Sequence, residues 1–79
     1  MTRCTVEFVI EPFTDGEPGQ HVRAGIEAIE AQGLSVSMGP FGSSVDGPIE
    51  TVAPAIEAMV SAAINDGADR VLVEITNRR

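Results

Sequence analysis

Between Gly39 and Pro48 the chain sets three glycines, two prolines and the hydrogen-bonding side chains of Ser43, Ser44 and Asp46 within ten residues, with apolar segments on both sides. Glycine reaches backbone angles closed to other residues and proline fixes its own φ, so a stretch of this composition shapes backbone. It reads as the end of one strand, a tight Gly-Pro connection, a short strand around Ser43 to Asp46, and the entry to a helix.

The flanking segments supply the periodicities. From Arg3 to Glu11, Cys4, Val6, Phe8 and Ile10 alternate with Arg3, Thr5, Glu7 and Glu11, with Val9 the one apolar exception; this is the period of a half-buried strand. Pro12 to Gly19 is a loop. Val22, Ile26 and Ile29, with Ala24, Ala28 and Ala31, follow helical spacing and predict a first helix from Pro18 to Gln32, capped by Gly33. Leu34, Val36 and Met38 alternate with Ser35 and Ser37 as a second strand, expected to pair with the third as a hairpin. Ile49, Val52, Ala53, Ile56, Met59, Val60, Ala63 and Ile64 predict a second amphipathic helix up to Asp66-Gly67. Within it, Pro54 lacks a backbone donor, so the regular helix either begins just before Pro54 or is kinked there. Val71, Val73 and Ile75 alternate with Leu72, Glu74 and Thr76 as a fourth strand.

The order βαββαβ has few compact solutions. Right-handed crossovers with both helices on one apolar sheet face give an α+β, ferredoxin-like sandwich, with a four-stranded antiparallel sheet in the order 4-1-3-2 and a single domain over residues 1–79. The helix-covered face is expected to carry Cys4, Val6, Phe8, Ile10, Leu34, Val36, Met38, Val45, Val71, Val73 and Ile75. The open face is expected to carry Thr5, Glu7, Val9, Ser35, Ser37, Leu72, Glu74 and Thr76. Half polar with apolar members, that face suits another subunit or a ligand better than bulk water.

Seventy-nine residues lie near the lower limit for burying enough surface alone, so a homodimer or homotetramer is expected, associating through the open face. A net charge of −7 and a pI near 4.3 repel polyanions, which argues against nucleic acid and leans toward a cationic ligand. The lone Cys4 cannot close an intrachain disulfide and sits in a strand pattern as a small apolar filler. No apolar run approaches a membrane span, and Met1 leads into a charged strand without a signal-peptide core, so a cytoplasmic protein without membrane contact is expected.

Fold alone leaves the chemistry open. There is no Cys-x-x-Cys for a metallochaperone or metal site, and no aromatic pair on the central strands to stack RNA bases. No nucleophile has a base in plausible reach, and His21, in a first helical turn beside Gln20 and Arg23, suits a solvated position; no enzyme, cofactor or metal is expected. Ser43 and Ser44 suit turn or capping roles unless the neighbouring glycines bring a ligand close. Glu7 and Glu74 fall on the same open face of neighbouring strands, where like charges are costly. Either they are solvated or paired with Arg3, Arg70 or Arg78, or they receive a cation.

Three segments, Gly33-Leu34, Gly39-Pro40-Phe41-Gly42-Ser43-Ser44-Val45-Asp46-Gly47 and Asp66-Gly67-Ala68-Asp69-Arg70-Val71, resemble the pattern of the small YkoF-like thiamine-binding proteins, and the likeness covers nearly the whole chain. It implies non-catalytic binding of thiamine, or of a related pyrimidine or thiazolium molecule, by dimers or tetramers that pair through their sheets. A thiazolium carries a fixed positive charge and an aminopyrimidine carries donors and acceptors, so a pocket needs a carboxylate, hydroxyls and apolar ring contacts. Glu7, Glu74 or Asp46 offer the first, Ser37, Ser43 and Ser44 the second, and Phe8, Met38 and Phe41 the third. Asp46, before Gly47, equally suits a turn or helix cap. The competing reading is a structural or regulatory oligomerisation module, in which the region beside Gly39 to Gly47 is packed shut.

Overall fold

The computed structural model describes residues 2–13 and 19–79. Its elements run β1 (Arg3–Glu11), α1 (Gln20–Glu30), β2 (Ser37–Gly39), β3 (Gly42–Pro48), α2 (Ile49–Asn65) and β4 (Arg70–Asn77). The strands form one antiparallel sheet in the order β2-β3-β1-β4, the expected ferredoxin-like arrangement counted from the other edge. Most of the loop expected over Pro12 to Gly19, and the expected helix start at Pro18, lie outside the described residues.

Alternation along β1 explains the core. Cys4, Val6, Phe8 and Ile10 are all buried, while the residues between them are exposed or half-buried. The helices close over that row with Val22 and Ile29 of α1 and Val52, Ile56 and Met59 of α2. Gly25 marks the tightest crossing: a Cβ there would sit 2.6 Å from Ile10 Cδ1 and 3.3 Å from Met59 Cγ, so any side chain would displace the ends of these two core residues. His21 is not simply solvated. Its Nε2–H donates to the Pro12 carbonyl at 2.7 Å, fastening the first turn of α1 to the end of β1.

The remaining expectations need correction in four places. First, β2 begins only at Ser37; Leu34, Ser35 and Val36 lie outside any strand. The apolar pair still packs partly buried against the core, and Leu34 Cδ2 lies 3.0 Å from where a Gly47 Cβ would stand. These side chains therefore follow a core contact, not a ladder. Second, α1 stops at Glu30, short of Gln32, and Gly33, at φ +87°, turns the chain out of it. Third, α2 starts at Ile49 directly after β3 and runs through Pro54, so the helix does not wait for the proline. Glu50, whose carbonyl loses its helical donor there, is exposed, so water can take the donor's place. Fourth, Met38, Val73 and Ile75, assigned to the covered face, are 51%, 39% and 54% exposed. They stand on the two edge strands, and α1 makes no contact with β4 among the described residues, so the helices cover the centre of the sheet and leave its margins bare.

Candidate functional site

Register builds the site. Ser37 on β2 faces Ser44 on β3, Ser44 faces Glu7 on β1, and Glu7 faces Glu74 on β4. Directly opposed residues share a face, so these four side chains form a polar row from one edge of the sheet to the other, on the side without helices. Toward the hairpin the next row is small or apolar: Gly39 opposes Gly42, and Val9 opposes Leu72. A Cβ on Gly42 would lie 3.0 Å from both the Phe8 carbonyl oxygen and Val9 Cγ2, and its φ of +148° is one that other residues rarely adopt. Glycine thus lets β3 approach β1 and keeps the floor of the site low.

Over these rows lies an open groove of about 960 Å³, walled at one end by the Pro40-Phe41 turn. Phe41 is 92% exposed at that turn, an unusual position for an aromatic ring. Leu72, 40% exposed, offers apolar surface on the floor.

Among the described residues neither Glu7 nor Glu74 takes part in an ion pair or a side-chain hydrogen bond. Arg70, which also lines the groove, pairs instead with Glu11, its own cross-strand partner, at 3.6 Å. Of the arginine partners considered from the sequence, none reaches the two carboxylates.

Most of the residues singled out from sequence come together. Glu7, Ser37, Phe41, Ser44 and Glu74 line the groove. Met38 and Ser43 line it too, yet register sets them in the row of Phe8, whose side chain belongs to the core. Phe8 itself is 3% exposed, which removes its ring from the ligand surface. Asp46 does not line the groove; it lies one row away, where the Thr5 hydroxyl donates to its carboxylate. Arg70, Val9 and Leu72 belong to the groove although they were not singled out as site residues. The alternation of β1 and β4 already placed Val9 and Leu72 on this face.

A profile of the thiamine-binding protein family matches residues 6–78. The chain belongs to the thiamine-binding protein family. The match spans β1 through β4 and so includes every strand of the groove. No curated protein matches the chain. Among solved structures, a domain of unknown function from Bacillus cereus superposes with a TM-score of 0.70 at 18% identity, covering 100% of this chain and 78% of that one. A Thermotoga maritima protein, provisionally described as a thiamine biosynthesis/salvage protein, gives 0.67 at 20% identity, over 98% of this chain and 83% of its own. A Streptococcus pneumoniae protein gives 0.71 at 15% identity, with 100% and 87% covered. At such identities the likenesses bear on the fold alone.

Proposed function

We propose that this family member binds thiamine, or a related molecule with a thiazolium or aminopyrimidine ring, in the open groove, and releases it unchanged. The observation that carries the reading is the row Ser37–Ser44–Glu7–Glu74: two hydroxyls followed by two carboxylates that no group among the described residues compensates. Two like charges set opposite each other cost stability unless a cation arrives, and a ring with a fixed positive charge satisfies that demand better than any neutral ligand. The hydroxyls then meet the donors and acceptors of the pyrimidine, while Phe41 and Leu72 supply apolar ring contact and Met38, in the row of Ser43, is turned away with it.

Glu7 is the central residue in this reading, flanked by Ser44 on one side and Glu74 on the other. Ser43 and Asp46 have smaller roles, Ser43 because register turns it away and Asp46 because Thr5 already engages it. The protein works in the cytoplasm as a small homo-oligomer, and no helix among the described residues is long and apolar enough to cross a membrane.

Calorimetric titration with thiamine tests the reading. Saturable binding is expected, weakened about tenfold by Glu7→Gln, the usual size of a lost charge-assisted hydrogen bond. Absence of heat with thiamine and with its pyrimidine part would leave the oligomerisation-module reading in its place.

A further inference from the structure

Along β4 the open face changes chemistry at each step. Residues two apart on a strand share a face, so Glu74, Leu72 and Arg70 follow one another there, opposite Glu7, Val9 and Glu11 of β1. The order is a carboxylate row, an apolar row and a guanidinium, each about 7 Å from the next. Among the described residues Arg70 is the one cationic side chain that lines the groove.

That guanidinium is held without being used up. Its contact with Glu11 joins one nitrogen to one oxygen at 3.6 Å, longer than a good hydrogen bond, and both side chains are exposed. A guanidinium carries five N–H donors in a planar fork. Glu11 does not line the groove whereas Arg70 does, so donors of the fork stay open to an occupant. No hydroxyl stands beside them in the apolar row, which is built from Gly39, Gly42, Val9 and Leu72. Ser37 and Ser44 belong to the carboxylate row.

We propose that the groove selects the phosphate ester of its ligand over the free alcohol, with Arg70 taking the phosphate; this rests on the thiamine reading of the same groove. With the aminopyrimidine over Ser37 and Ser44 and the thiazolium over Glu7 and Glu74, the two-carbon arm of the thiazolium runs along β4. Arm, ester oxygen and phosphorus together span about one row of the sheet, so the phosphate arrives above Leu72, beside Arg70. A hydroxyl at that place loses water to apolar surface without gaining a neutral partner. A phosphate monoester, roughly −1.5 to −2 at neutral pH, gains charge-assisted hydrogen bonds from the fork. The net charge of −7 opposes an anion at long range, but that field is screened beyond about 8 Å at physiological salt, whereas the contact with Arg70 is direct. The exposed contact with Glu11 is weak enough for the phosphate to share or displace.

The other arginines of this face lie in the opposite direction. Arg3 and Arg78, joined by the Arg78 N–H to Arg3 carbonyl bond, stand two rows beyond Glu7 and do not line the groove. They therefore serve as a control for charge alone.

Parallel calorimetric titrations with thiamine and thiamine monophosphate, at low and at physiological salt, read the preference as a ratio of affinities. The parent chain is expected to bind the monophosphate about tenfold more tightly, with the ratio falling as salt rises. Arg70→Gln should bring the ratio to about one, Arg70→Lys should keep part of it, and Arg78→Gln should leave it at the parental value. Thermal melting checks that Arg70→Gln is folded, as expected for the loss of an exposed ion pair. Thiamine bound as tightly as its monophosphate overturns this proposal and leaves the thiamine reading standing, while binding of neither overturns both. A preference that survives Arg70→Gln, or that Arg78→Gln removes, also overturns the assignment to Arg70.

Discussion

Glu7 on β1 and Glu74 on β4 stand directly opposite each other in the antiparallel register, on the sheet face that carries no helix. Among the described residues no cationic group pairs with either, and Arg70 is engaged by Glu11. A fold that only needed stability would place opposite charges there; under the proposed function the pair ties a cost in folding to a capacity for binding.

That tie gives a test in stability. Glu7→Gln removes one of the two facing charges and should stabilise the free protein by about 0.2 to 1 kcal/mol, the size of a cross-strand charge effect. Thermal melting should record a rise of a few degrees, together with the loss of thiamine affinity. A lower melting temperature would mean that the Glu7 carboxylate supports the fold.

Gly42 should not tolerate a side chain. Alanine there meets the Phe8 carbonyl oxygen and Val9 Cγ2 at 3.0 Å and must hold a φ near +148°. Gly42→Ala is expected to cost about 1 to 3 kcal/mol through backbone strain. Denaturant titration reads the loss, and hydrogen exchange should place it in the β2–β3 hairpin.

Met59, on α2, is wholly buried where that helix meets Gly25 of α1. Truncation to alanine leaves a cavity in a core with few alternatives for repacking, and should cost about 2 to 5 kcal/mol. In a domain this small that is a large share of the total, so Met59→Ala should be largely unfolded at moderate urea concentrations where the parent stays native.

Cys4 is free, buried and next to Val6 in the core row. Its thiol should resist alkylating reagents in the native protein and react fully once the chain is unfolded. Cys4→Ser should lower stability by about 1 to 3 kcal/mol by burying a hydroxyl, with thiamine affinity retained. Rapid labelling under native conditions would contradict the structural role.

The sheet order, both helices and the alternation of β1 were legible because each depends on a local period of two or 3.6 residues and on the handedness of crossovers. The Gly39 to Gly47 segment was legible for a related reason: turn chemistry is written in the residues of the turn itself. Leu34 to Val36 misled because alternation marks a chain that buries every second side chain, whether or not a neighbouring strand supplies its hydrogen bonds. At Leu34 the contact with Gly47 satisfies the burial, and the ladder starts only at Ser37.

Local pattern thus assigned Glu7 and Glu74 to one face, Ser44 to the Gly-rich turn region and Phe41 to the candidate ring contacts. The alternation of β1 had already set Phe8 on the helix-covered face, whereas folding alone decided that Glu7, Glu74 and Ser44 stand in one row with Ser37 and that Asp46 is taken up by Thr5. These are matters of register between strands far apart in sequence, and a slip of one residue would reverse every side chain's face. In the same way Val73 and Ile75 carry a core-like pattern yet remain exposed, because how far two helices reach across a sheet is set by helix packing around Gly25 and Met59 and leaves no mark on the strand they fail to cover.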